Sequence, residues 1–302
     1  MAQAAAQVPH AGDLTLDHVA HFVPDIDIAS AALEKLGFTL TPLSNQSHRL
    51  ETGGALVPAG TANRCVMLER GYLEFLTPTL STPIAAQLRT AIDRYVGVHL
   101  IAFGSASPEA DCARLSDAGF DPLTPVALQR PIGTESGEET ARFTVVRVPP
   151  GTMAEGRIQF CQHHTPDLLW QGRWLSHANG AVALSSVLLC VDDPDAAASR
   201  YARFTGLTPS RSDNCWVLKT ARGSLVFASA GAVRSMLGIA SPALPWIAGY
   251  TLEVRDLTAT RDCLDAASVR CRELGAGRLL VELPESVGGA IVFTAPRVTA
   301  PL

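Results

Sequence analysis

Apolar and polar positions along the chain repeat with a long period. Leu16–Asp25 (LDHVAHFVPD) and Leu184–Asp193 (LSSVLLCVDD) are both β-rich apolar runs ending in acidic residues. Each is followed by a helical stretch, Ile28–Phe38 and Asp195–Leu207, that stops at a glycine, Gly37 or Gly206, as helices commonly do. Two weaker copies are present. Val96–Ser105 (VGVHLIAFGS) precedes a helix from Pro108 to Gly119, and Gly249–Leu257 (GYTLEVRDL) precedes the helical TATRDCLDAAS.

Further alternating or apolar runs follow each helix. They are FTLTPL, NRCVMLER and YLEFLTP in the first copy, with a turn at Gly71, and LTPSRS, CWVLKTA and SLVFASA in the third, turning at Gly223. In the fourth they are VRCREL, RLLVELP and AIVFTAP, turning near Gly288 and Gly289. Strand, helix and three strands, four times over, predicts an α+β chain of four βαβββ units. The second copy is the least regular. The polar stretch Gln129–Thr140 interrupts it before ARFTVVRV and GRIQFCQH, and reads as a surface loop or a lid. A polar and aromatic connection, His164–Gly180, marks the boundary between halves. The expected organisation is a disordered tail over 1–13, a first pair of units over 14–170, a linker over 171–180 and a second pair over 181–302.

Composition narrows the partners. Of 302 residues 47% are hydrophobic and 18% charged, with a net charge of −5. Basic residues are scattered, so neither nucleic acid nor anionic lipid is an expected partner. Seven cysteines without a CxxC pair suggest free thiols in a reducing compartment. No apolar run approaches the ~20 residues that a membrane helix needs. The N-terminal residues carry no secretory pattern, so the cytoplasm is the expected location.

Lining up the copies isolates the candidate chemistry. Matched first-strand positions hold His18, His99, Ser186 and Thr251, and matched last-strand positions hold Glu74, Gln159, Val226 and Val292. The first two copies thus offer His/Glu and His/Gln where the last two offer Ser/Val and Thr/Val. A carboxylate between Leu73 and Phe75 is costly on a core face and tolerated in a solvated cavity, an ion pair or a metal site. Imidazole, carboxylate and amide oxygen suit a borderline or hard divalent ion such as Mn, Fe, Zn, Ni or Co. Four such ligands leave two positions of a six-coordinate ion for a bidentate oxygen substrate.

These residues, with LDHVAHFVPDID, GTANRCVML (60–68), GYLEFLTP (71–78) and FCQHHTPDLLW (160–170), make the chain resemble the vicinal oxygen chelate superfamily, and within it the glyoxalase-like domain group. The resemblance implies paired units whose sheets curl into open barrels with helices outside. It also implies a divalent metal held by His18, Glu74, His99 and Gln159. The family usually has glutamate where Gln159 stands. His163, on the same strand face as Gln159, is expected to contact substrate or to replace it as a ligand, and His21 faces the other way. Asn63, Arg64 and Arg130 are candidates for substrate recognition. The second pair keeps the fold without the ligands. The activity implied is lyase or isomerase chemistry on a small molecule chelated through vicinal oxygens, with Glu74 or a bound water carrying the proton. Extradiol dioxygenase chemistry is disfavoured because that class places its iron in the second pair. The alternative is a metal-free small-molecule binding protein of the bleomycin-resistance type. A monomer and a homodimer are equally compatible with these units.

Overall fold

The computed structural model describes residues 7–49, 55–275 and 277–296. Acidic and hydroxylic residues that follow strands serve as helix caps. Asp25 accepts from the amides of Asp27 and Ile28 at the start of α1 (Ile26–Lys35). Thr82 caps α2 (Pro83–Arg94) and Ser107 caps α3 (Pro108–Asp117). A short turn, α4, spans Pro166–Leu169. Asp193 caps α5 (Pro194–Thr205), Ser229 caps α6 (Ala230–Leu237) and Asp256 caps α7 (Leu257–Ala266). Each such cap satisfies amides that the helix itself leaves unbonded.

The strands form one mixed sheet of 16. In the first half, β1 (Thr15–Phe22) pairs in parallel with β4 (Tyr72–Pro78) and antiparallel with β5 (Gly97–Gly104). Outward from β4 lie β3 (Leu56–Met67) and β2 (Ser44–Arg49). Outward from β5 lie β8 (Arg157–His163), β7 (Gly137–Arg147) and β6 (Val126–Thr134). The outer strands β2 and β6 come back to touch, so this half is curled. The second half repeats the pattern. The strand β9 (Ala181–Cys190) pairs with β12 (Ser224–Ala228) and with β13 (Trp246–Val254). Beyond them lie β11 (Cys215–Lys219) and β10 (Ser210–Ser212) on one side. On the other lie β16 (Ala290–Thr294), β15 (Arg278–Glu282) and β14 (Arg272–Gly275). Ile247 pairs with Val98 and joins the halves.

Alternation along the strands sorts residues to two faces. One face, with Leu16, Val19, Leu73, Phe75, Ile101 and Phe160, packs against the helices in a core continuous across both halves. Phe160 stacks on Phe204 and Phe38 on Phe293 within it. The other, concave face differs between the halves. In the second it is closed by Leu188, Val217, Val226, Leu280 and Val292, with Val233 and Leu237 of α6. In the first, apolar residues gather at the two ends, Phe22, Leu76 and Leu88 at one and Tyr72, Leu169 and Trp170 at the other.

Several local expectations change. FTLTPL is not a strand. The first strand after α1 is the polar Ser44–Arg49, while Thr41 instead bonds to Cys65 through both its amide and its hydroxyl. Gln129–Thr140 is no loop, because β6 and β7 continue through it as a hairpin. Pro131 is tolerated there because β6 is an edge strand with β7 as its partner. Of the expected tail, residues 1–6 lie outside the described residues, whereas Gln7 is buried and bonded to Glu69 and Gly71. The connection 171–180 packs against the first half. His177 bonds to Met67 and Thr39, and Asn179 bonds to Leu36.

Candidate functional site in the first half

The concave face of the first half gathers side chains from six strands. Asn63, Cys65 and Met67 come from β3 and Tyr72, Glu74 and Leu76 from β4, alternating with the core residues Val66, Leu73 and Phe75. Arg157, Gln159, Cys161 and His163 of β8 alternate with Ile158 and Phe160, and Arg147 of β7 stands opposite Gln159.

Of the four expected ligands, His18, Glu74 and Gln159 share this face. His18 Nδ1 lies 2.7 Å from Asp17 Oδ2, and its ring stacks on Tyr72 at 4.3 Å. The Nδ1 contact leaves Nε2 as the ring's available donor atom. Glu74 Oε1 accepts from Asn63 Nδ2 at 2.5 Å, and Arg130 reaches Asn63 Oδ1 at 3.4 Å across the mouth of the curl. Gln159 Oε1 accepts from Arg147 Nε at 3.2 Å. His99 sits apart, its Nε2 2.7 Å from the Tyr95 carbonyl and its ring between Tyr95 and Phe22. The strand register explains the separation. Ala20 stands beside Glu74 as Ala102 stands beside Gln159, so counting back three residues from each makes His99 the counterpart of Asp17, not of His18. Burial lowers the pKa of His99 to about 4, which keeps the ring neutral.

Of the substrate candidates, Asn63, Arg130 and His163 lie on the concave side. Arg64 pairs with Phe75 and alternates with Cys65, so it projects to the helix-covered face. His163 is enclosed by Tyr72, Phe143 and Trp170. His21 faces the core, stacked on Phe75 and bonded to Tyr250 and Val287.

Sequence reasoning missed Asp17. A register shift between Leu16 and His18 swings it onto the cavity side. There its Oδ2 meets both His18 and His163 Nε2, the latter at 3.0 Å, and it is fully buried. Burial works against charge on this pair. The two imidazoles nonetheless hold the Asp17 carboxyl far below its usual range, and Asp17 lifts His163 to about 10. Asp17 Oδ1 and His163 Nδ1 have no hydrogen-bond partner, and Asp17, Cys161 and His163 present ligand atoms within 4.8 Å of one another. Arg147 and Arg157 were also missed, although alternation from Gln159 places Arg157 on its face. Burial pushes the guanidinium of Arg147 down and that of Arg157 to about 10, with Glu74 opposing in both cases.

The donor chemistry fits a divalent ion at two of the four expected positions. A carboxylate behind the His18 ring and an amide on Glu74 are the supports that metal ligands usually have. Gln159 and His99 have their oxygen and Nε2 engaged by protein, and the nearby guanidiniums oppose added positive charge.

The profile of the glyoxalase-like domain family matches residues 16–205, well over half of the sequence. The chain belongs to that family. A solved structure of a hypothetical protein from Staphylococcus aureus superposes with a TM-score of 0.64 at 10% identity, covering 93% of this chain and 99% of the other. A xylose isomerase-like TIM barrel/4-hydroxyphenylpyruvate dioxygenase fusion protein gives 0.58 at 11% identity, covering 97% of this chain and 51% of the fusion. A mutant 4-hydroxymandelate synthase from Streptomyces coelicolor gives 0.57 at 12%, covering 96% and 94%. At these identities the likeness is one of fold. A sequence search of curated proteins returns no match. Among the described residues no helix is long and apolar enough to cross a membrane.

Proposed function

We propose that the chain is a divalent-metal-dependent enzyme of the glyoxalase-like type, acting in the first-half cavity on a small molecule bound through two neighbouring oxygens. In this reading the chain is four βαβββ units in two pairs, and the second pair is a filled support. The observation that carries it is the contrast between equivalent concave faces. His18, Asn63, Glu74 and Gln159 are buried on one, where Leu188, Val226 and Val292 close the other. Buried polar groups of this kind are kept at a cost in stability, and a site is the common reason.

His18, through Nε2, and Glu74 would hold the ion, with Gln159 and His99 as the remaining expected ligands. When bound, such an ion stabilises an enolate or oxyanion as a Lewis acid. Glu74, its Oε1 held by Asn63, has a second carboxylate oxygen to take and return a proton at the substrate carbon, which is lyase or isomerase chemistry. Metal analysis of protein purified without chelator tests this. Wild type and Ser186→Ala should carry a stoichiometric ion that His18→Ala and Glu74→Gln lack. Wild type without an ion would overturn the metal reading.

One observation favours a second reading, a metal-free small-molecule binding protein. Gln159 Oε1 is already taken by Arg147 and His99 Nε2 by Tyr95. Ligand-induced thermal stabilisation of a metal-free chain would support it.

A further inference from the structure

The charges of the cavity do not balance. Arg130, Arg147 and Arg157 project into it from three successive strands, and all three are half-buried. The protein groups that bond them are mainly neutral amides. Arg147 Nε donates to Gln159, Arg157 to Gln87 Oε1 at 3.4 Å, and Arg130 to Asn63 Oδ1. Arg157 also lies over the Phe22 ring at 5.8 Å. Among the described residues none of the three forms an ion pair, whereas Arg70, Arg114, Arg200, Arg211, Arg255 and Arg261 each do. Glu74 is the one carboxylate that influences both Arg147 and Arg157. Asp17 is committed to His18 and His163. Three guanidiniums against one carboxylate leave the pocket two charges positive, which a partly desolvated site tolerates poorly. The planar fork of arginine matches a carboxylate in two-point contact.

We propose that this cavity binds a small organic dianion, a dicarboxylic acid, through Arg130, Arg147 and Arg157. This names a ligand class for the site of the proposed function, and it stands on a charge count that is independent of any metal.

The test is calorimetric titration and thermal shift on the full chain, with and without prior EDTA treatment. The probes are succinate and malonate, with acetate, dimethyl succinate, sulfate and inorganic phosphate as comparisons. Succinate or malonate at about 100-fold excess over Kd should raise Tm by about 5 °C. Acetate should act more weakly and the neutral ester not at all. Arg147→Met should weaken binding by about 30-fold or more. Without ligand it should be at least as stable as wild type, because it relieves an unbalanced charge; an arginine with a merely structural role would destabilise on removal. Arg147→Lys should keep part of the binding. Persistence of binding after EDTA while metal analysis finds no ion would sink the metal reading and leave this one standing. Absence of any dicarboxylate response, a response to phosphate or sulfate alone, or Arg147→Met that binds like wild type would each overturn it.

Discussion

His21 offers the sharpest test of how the halves are joined. It lies on β1, yet its Nδ1 donates to the Val287 carbonyl at 2.9 Å and its Nε2 lies 3.1 Å from the Tyr250 hydroxyl, both in the second half. A ring that donates through Nδ1 and accepts from a hydroxyl is the neutral imidazole. Burial lowers its pKa from 6.5 to about 4, outweighing the Val287 bond. The sign follows directly. A folded value below the unfolded one means that the unfolded chain takes the proton first as pH falls. His21 therefore costs nothing at pH 7, and native stability is lost progressively between about pH 6.5 and 4. At about 1.4 kcal/mol for each pH unit between the two values, the full loss approaches roughly 3 kcal/mol. His21→Gln isolates the effect, because its amide can donate to Val287 and accept from Tyr250 without titrating. Urea denaturation of both proteins at half-unit steps from pH 7 to 4 should show the variant weaker by about 1 kcal/mol at pH 7. The gap should narrow and then reverse towards pH 4. Parallel curves across that range would refute the assignment of the neutral, buried clasp.

Two further predictions concern the cavities. Asp17→Ala removes the carboxylate shared by His18 and His163 and should cost about 3 kcal/mol or more in urea denaturation; a loss below about 1 kcal/mol would mean the pair is not formed. In the second half, Ser186 donates to Thr251 Oγ1 at 2.8 Å inside an apolar surround. Ser186→Val and Thr251→Val should each destabilise by about 1–2 kcal/mol, and the double variant should recover most of that, since removing both partners leaves no orphaned hydroxyl. Additive losses in the double variant would argue against the bond.

Much of the fold was legible in the chain because its signals are local. Asp25, Asp193 and Asp256 end apolar runs and cap the next helix, and Gly37 and Gly206 follow the helix ends, so each strand–helix step has its own punctuation. Regular alternation likewise put Glu74 and Gln159 on one face. Where the backbone departs from period two, the pattern misleads. The register shift at Leu16/His18 brings Asp17 into the cavity, and the shift between Ala20 and His21 leaves His99, the counterpart of Asp17, as the extra residue of β5. A single inserted residue reverses every inference about facing. The hairpin's outer part, Gln129–Thr140, was hidden because its residues are largely polar and it lies at a sheet edge, where no apolar face betrays it.

The filled and the polar cavity together bear on why the chain has two halves. Closing a concave sheet with Leu188, Val226, Val292 and the face of α6 is the arrangement that burial of apolar surface favours. The first half forgoes that gain on its concave side and keeps partly buried guanidiniums there. It can do so because its other face belongs to a core that both halves build, through Phe160 on Phe204 and Phe38 on Phe293, and because His21 ties β1 to the second sheet. Stability gathered on one side of the sheet thus supports a cavity that is itself destabilising, as functional sites commonly are. On the proposed reading, the second half holds β1 and β5, the strands at the floor of the first cavity, against a filled neighbour.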